Sequence, residues 1–148
     1  MRLDDVLTAV SALFLDTAPV IYYVEQNPAY FARVKGVFER VDDGMITAVT
    51  SPITLSECLV FPYRHNNAQL RSDFFDLIVQ GNYTEFLAID AQIGEQAAEL
   101  RARYNLTLAD ALQFAVALAA GCDAFLTNDK RLQRVSELIV LVVDDLVV

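Results

Sequence analysis

Short apolar runs alternate along this chain with longer stretches whose apolar residues recur every three or four positions. That alternation is the feature that most limits what the chain can become. Ala12 to Asp16, Met45 to Thr50, Glu85 to Ile89, Ala124 to Thr127 and Ile139 to Val143 read as strands. Between them, Val20, Ile21 and Val24, then Tyr30, Val34, Val37, Phe38 and Val41, then Leu70, Phe74, Leu77 and Ile78, keep helical spacing. Ile93, Ala97, Leu100 and Tyr104 do the same, and an alanine-rich stretch from Thr107 to about Ala120 is apolar nearly all round, so it should be central. Punctuation agrees with this division. Pro19 and Ser51-Pro52 suit helix starts, Asp90, Thr107 and Asn128 suit N-caps, and Asp42-Asp43-Gly44, Gly81-Asn82 and Gly121 suit helix ends. Pro62 is expected to interrupt the helix opened by Ser51-Pro52 at about Val60. Strands alternating with helices imply an α/β domain with a mostly parallel sheet, whose ligand site lies beyond the carboxyl ends of the strands.

With 148 residues, 55% of them hydrophobic, the chain has the size and core of one domain, and no Pro/Gly/Ser-rich linker divides residues 1–148. No apolar run approaches the roughly 18 residues of a membrane span. Val6 to Leu15 is apolar, but Asp4 and Asp5 make its start acidic, so it reads as structure and not as a targeting segment. Cys58 and Cys122 sit in apolar helical contexts and read as small buried thiols, which fits a reducing cytoplasm. The formal net charge of −9 counts against a large nucleic-acid footprint, because phosphate backbones favour basic surfaces.

Four carboxylates stand where strands run into helices. Asp16 and Asp129 follow the apolar runs Ala12-Leu13-Phe14-Leu15 and Phe125-Leu126-Thr127-Asn128, and Glu57 and Asp110 are expected in the first turns of apolar helices. Taken singly, Glu57 and Asp110 read as helix-start residues, since Thr54 and Thr107 stand three positions before them at capping-box spacing, and Asp129 could simply favour a helix N-terminus. As a set they read as a shared acidic site, because clustered carboxylates in so apolar a setting repel unless a cation offsets them. Oxygen ligands point to Mg²⁺ or Mn²⁺. The single His65 excludes a histidine-rich site, and the nitrogen or sulfur ligands of zinc are missing. Two acidic α/β alternatives fit poorly. An aspartyl-phosphate phosphatase needs a second Asp where Ala18 stands, and a receiver domain needs an acidic pair in place of Asp16-Thr17.

In order and spacing, Leu15-Asp16-Thr17, Ser51 to Glu57, Leu108-Ala109-Asp110-Ala111 and Phe125-Leu126-Thr127-Asn128-Asp129 resemble the PIN-domain family, most closely the short VapC-type toxins of prokaryotic toxin–antitoxin pairs. The resemblance covers almost the whole chain. It implies a three-layer α/β fold with a five-stranded sheet in the order 3-2-1-4-5, and a metal-dependent ribonuclease. Carried over, Asp16, Glu57, Asp110 and Asp129 would be the catalytic, metal-binding acids, with Thr17, Thr127 and Asn128 as supporting polar groups. It also implies an RNA substrate, a cognate antitoxin whose basic segment lies in the acidic groove, and a homodimer. One departure is the stretch of about ten residues before the first strand, which reads as a packing helix without a functional role.

Arg64-His65-Asn66-Asn67 with Arg71, and Lys130-Arg131 with Arg134, are candidate RNA-contacting rims, although each also reads as solvated surface. Asp144-Asp145 reads as surface. The aromatic surplus at Tyr22, Tyr23, Tyr30, Phe31, Phe61 and Tyr63 is mostly core, with some residues available to a partner. The strongest alternative is a PIN-like binding or scaffold module with weak or absent catalysis, which the acidic balance keeps open.

Overall fold

A computed structural model describes all residues, 1–148. Its centre is a sheet of five parallel strands in the order β3-β2-β1-β4-β5, the order the resemblance implied. The strands are β1 (Ala12–Leu15), β2 (Thr47–Thr50), β3 (Thr84–Phe86), β4 (Ala124–Thr127) and β5 (Ile139–Val142). The helices are α1 (Leu3–Leu7), α2 (Thr17–Val24), α3 (Phe31–Asp42), α4 (Pro52–Arg64), α5 (Ala68–Gln80), α6 (Ala91–Tyr104) and α7 (Leu108–Ala119). Two 3-10 turns, Lys130–Arg134 and Val143–Asp145, flank β5.

Strand side chains alternate between the two faces of a sheet, and here both faces are apolar. Leu13, Leu15, Ala48, Ala124 and Leu126 face a core completed by Val20, Val34, Val37, Phe38, Phe74 and Ile78 of α2, α3 and α5. Phe14, Val49 and Phe125 face the opposite core, made by Ile93, Ala97 and Leu100 of α6 and Ala111, Phe114 and Ala115 of α7. Phe125 is stacked between Phe14 and Phe114, with ring centroids 5.0 and 4.0 Å away. α7 is buried along most of its length, as its composition predicts. It stops at Gly121, whose φ of +72° is the left-handed conformation that lets the amide of Cys122 reach Ala117 O at 2.9 Å.

Several boundaries differ from the sequence reading, each for a tertiary reason. β2 begins at Thr47, and β3 ends at Phe86, where pairing with the neighbouring strand stops. α4 does not end at Val60 but runs through Pro62 to Arg64. Thr54, Cys58 and Pro62 form one buried stripe four residues apart, so burial of the ring outweighs the hydrogen bond that Pro62 cannot donate. The 3-10 turn after β4 is capped by Asp129, not Asn128, because the Asn128 side chain is engaged elsewhere. The residues before β1 do form a packing helix: Leu3 and Leu7 join the core, and Arg2 bridges to Val147.

Candidate active site

β1 and β4 are neighbours at the centre of the sheet, so their carboxyl ends bring Asp16 and Asp129 to the same edge. Asp16 leaves β1 as the N-cap of α2. Its Oδ1 accepts from Thr17 N at 2.9 Å, and its Oδ2 accepts from Thr127 Oγ1 at 2.7 Å. The same Thr127 oxygen accepts from Asp129 N at 3.1 Å, so one buried hydroxyl joins the two strand ends. Thr17 Oγ1 donates to Glu57 Oε1 at 2.6 Å, which ties α4 to the start of α2.

Asp16 is the electrostatic centre of this edge. Burial raises its pKa from 3.8 to about 6, and the charges of Asp110 and Glu57 add to the rise, against hydrogen bonds from Thr127 and Thr17 that lower it. Asp110 lies in the first turn of α7, where its amide donates to Thr107 Oγ1 at 3.2 Å. Glu57 lies in the second turn of α4, not the first, because Ser51 is the residue that caps this helix. The capping-box reading of Thr54 with Glu57 therefore fails, and Thr54 turns inward instead.

Asp16 thus feels the charges of both Glu57 and Asp110, and Asp129 shares a small cleft of about 100 Å³ with Asp110, Thr107, Arg131 and Arg134. The expectation that the carboxylates stand close enough to share an ion is not met as they are arranged here: no three come within reach of one cation. Two of the acids have local partners. Glu57 is drawn to the hydroxyl of Thr17, and Asp129 to Arg131, whose Nε and Nη2 bind its two oxygens at 3.0 and 2.9 Å. That guanidinium holds the Asp129 carboxyl below the usual carboxylate range. The donor set is all hard oxygen, and Asp16 is a carboxylate whose charge is opposed by burial and by two other acids. Chemically the residues fit a divalent cation.

Asn128 stands apart from the acids. Its Nδ2 donates to Tyr22 Oη at 3.0 Å and its Oδ1 accepts from Asp144 N at 2.9 Å, so it fastens the loop after β4 to α2 and to the carboxyl end of β5. Among the candidate RNA-contacting residues, Arg64 is exposed at the end of α4, and Arg71 lies over the Tyr63 ring, 4.8 Å from its centroid. Lys130 faces Asp145 at 3.5 Å, and Arg131 is held by Asp129, so both already have acidic partners. Asp144 and Asp145 are surface residues as expected, although Asp144 also meets Arg33 at 3.8 Å. Cys58 and Cys122 are free and buried, and burial pushes the Cys122 thiol up to about 12 and Cys58 higher still.

The sequence reading missed Gln113, which lies buried in α7 one turn beyond Asp110 and hydrogen-bonds to Ser51 and Thr54 of the Glu57 helix. A lone amide in the run Ala-Leu-Gln-Phe-Ala-Val-Ala was the available signal.

The class this architecture and acidic edge define is that of α/β domains with carboxylates at the ends of a 3-2-1-4-5 parallel sheet. The chain belongs to the PIN domain family, whose pattern matches residues 13–138. No curated protein matches the chain. Among solved structures, it is similar to a toxin–antitoxin complex from Klebsiella pneumoniae, with 22% identity, a TM-score of 0.67, and coverage of 90% of this chain and 98% of that one. It is also similar to VapBC2 from Rickettsia felis, solved on a DNA fragment from its promoter, with 18% identity, a TM-score of 0.68, and coverage of 88% and 97%. A third is VapC20 of Mycobacterium tuberculosis, a sarcin–ricin loop cleaving toxin, with 19% identity, a TM-score of 0.63, and coverage of 76% and 86%. No helix of the chain is long and apolar enough to cross a membrane.

Proposed function

We infer that this protein is a divalent-metal-dependent endoribonuclease and the toxin of a toxin–antitoxin pair. The observation that carries the reading is Asp16: a buried carboxylate at the end of the central strand, opposed by Glu57 and Asp110, with its pKa lifted to about 6. Such a group is costly to keep charged unless a cation meets it.

Asp16, Glu57, Asp110 and Asp129 are the residues that would hold Mg²⁺ or Mn²⁺. The chemistry such an ion supplies is activation of water and neutralisation of the charge that builds on a phosphodiester. The chain's own residues do the rest. Thr17 N and Thr127 Oγ1 orient the two oxygens of Asp16, and Thr17 Oγ1 holds Glu57 on the same side. Thr127 Oγ1 links the Asp16 carboxylate to the backbone amide of Asp129. Arg64 and Arg71 lie on α4 and α5 as positive charges for the RNA backbone, the term that an acidic protein most needs. A small antitoxin with a basic segment suits the acidic edge electrostatically. Self-association and a reducing cytoplasmic setting, where Cys58 and Cys122 stay as free thiols, complete the reading.

Purified protein is expected to cleave RNA in Mg²⁺ or Mn²⁺ and to stop on chelation. Asp16→Asn and Asp110→Asn each remove a ligand charge while nearly keeping shape, and should lose most of the activity. If both variants cleave as fast as the parent, the enzyme reading is to be dropped. A binding or scaffold module is the second reading, favoured by the spread of the carboxylates and by the net charge of −9. Absence of calorimetric binding at millimolar Mn²⁺ would select it.

A further inference from the structure

We propose that Gln113 is a positioning residue that sets the relative placement of Asp16, Glu57 and Asp110 through a buried chain of hydrogen bonds; the proposal rests on the metal-site reading above. The chain runs through three elements. Ser51 Oγ donates to Gln113 Oε1. Gln113 Nε2 donates to Thr54 Oγ1 at 2.7 Å, and Thr54 Oγ1 donates to the carbonyl of Leu15 at 3.2 Å. Ser51, Thr54 and Gln113 are each no more than 1% exposed.

Every link falls one step from an acid. The Leu15 carbonyl belongs to the peptide bond that leads into Asp16, and the N–H of that peptide donates to Leu126 O at 3.0 Å. The peptide is therefore held at both ends, by α4 through Thr54 and by β4 through Leu126. Thr54 is one helical turn before Glu57 on α4, and Gln113 is one turn after Asp110 on α7. Gln113 is the one side chain that bonds both to the capping residue of α4 and to its second buried hydroxyl, so it fixes α7 against α4 in rotation and in height.

Apolar packing would not do this. The rest of α7 around Gln113 is Leu, Phe, Ala and Val, whose burial is non-directional. Burying an amide is costly unless every bond is made, and here no buried polar side-chain atom is left without a partner. Directional bonds in a dry interior specify one register where apolar contacts allow several. The acids sit on three different elements, so their mutual distances depend on that register.

The test compares Gln113→Met, the triple variant Ser51→Ala/Thr54→Val/Gln113→Met, and Thr50→Val. Thr50 has a buried hydroxyl bonded to Ile78 O at 2.7 Å that takes no part in the Ser51–Gln113–Thr54 chain, so it controls for the loss of any buried hydrogen bond. The triple variant replaces the whole chain with apolar groups of similar shape, which removes the unpaired partners that a single substitution leaves. Mn²⁺ affinity is read by calorimetry and stability by thermal unfolding. Gln113→Met and the triple variant should bind Mn²⁺ about tenfold or more weakly, the usual cost of losing support behind metal ligands. The triple variant should do so with an unfolding temperature near the parent's, and with RNA turnover reduced at nearly unchanged KM. Thr50→Val should lose stability and keep its affinity. A triple variant that binds Mn²⁺ as tightly as the parent overturns the proposal, even if Gln113→Met alone does not fold. Failure of the underlying metal site looks different: the parent and Asp16→Asn would then be indistinguishable in Mn²⁺ binding.

Discussion

Arg131 grips Asp129 from one residue beyond its neighbour. Its guanidinium spans both carboxylate oxygens at 3.0 and 2.9 Å, and its backbone amide adds a third bond at 3.0 Å. The pair lines the same cleft as Asp110, so Arg131 would compete with a cation for the Asp129 carboxylate. Arg131→Ala is therefore expected to tighten Mn²⁺ binding by roughly threefold, the scale of an exposed ion pair. It should also weaken RNA binding, because a positive charge is lost from the rim. Calorimetry with Mn²⁺ and a filter assay with RNA separate the two effects. Weaker Mn²⁺ binding in the variant would mean that Arg131 supports the site instead of competing for it.

Asp16 makes the metal-free protein sensitive to pH. Its carboxyl titrates near 6 when folded, against an ordinary value of 3.8, so between these limits the folded state holds the proton more tightly than the unfolded one. Stability then falls as pH rises through that window, and the whole loss is present above about pH 6. Two units correspond to about 3 kcal/mol. Denaturant unfolding of the parent and Asp16→Asn without metal should show a difference that grows in favour of Asn as pH rises and levels off above the window. Saturating Mn²⁺ at neutral pH should stabilise the parent and do much less for the variant. A difference that stays flat across the window would place the raised titration elsewhere.

Arg64 is exposed and has no acidic partner, unlike Lys130 and Arg131. Arg64→Ala is expected to weaken RNA binding, with a logarithmic salt slope smaller by about one. Mn²⁺ affinity and unfolding temperature should not move. An unchanged salt slope would remove Arg64 from the RNA path.

Leu3 shows that the segment before β1 is part of the core. It is 5% exposed, and a Cβ placed on Gly36 of α3 would fall 2.5 Å from its Cδ2. Leu3→Ala should cost about 2–4 kcal/mol, as for other buried leucines. Thermal unfolding reads that loss, and Mn²⁺ affinity of the folded protein should be unchanged. A loss of metal affinity as well would give α1 a part in shaping the acidic edge.

Much of this protein was legible in its sequence because the relevant signals are local. Strand and helix periods, Ser51 and Thr107 as caps, Gly121 as a stop, and the apolar runs before Asp16 and Asp129 depend on residues a few positions apart. The sheet order came with the family resemblance and is the one observed. What the sequence could not carry was decided by contacts between distant elements. Pro62 stays inside α4 because its ring completes a buried stripe. Asn128 is taken from its capping role by Tyr22 and Asp144. Glu57 is tied to Thr17 beside Asp16 while Asp129 is held by Arg131, so the four acids share an edge without closing on one point. Gln113 acquires its role only when α7 is laid against α4, fifty-nine positions from Thr54 in the chain. Periodicity records which face of an element is buried. The rotation and height at which two faces meet are set by packing and by buried hydrogen bonds, and these exist only in the folded protein.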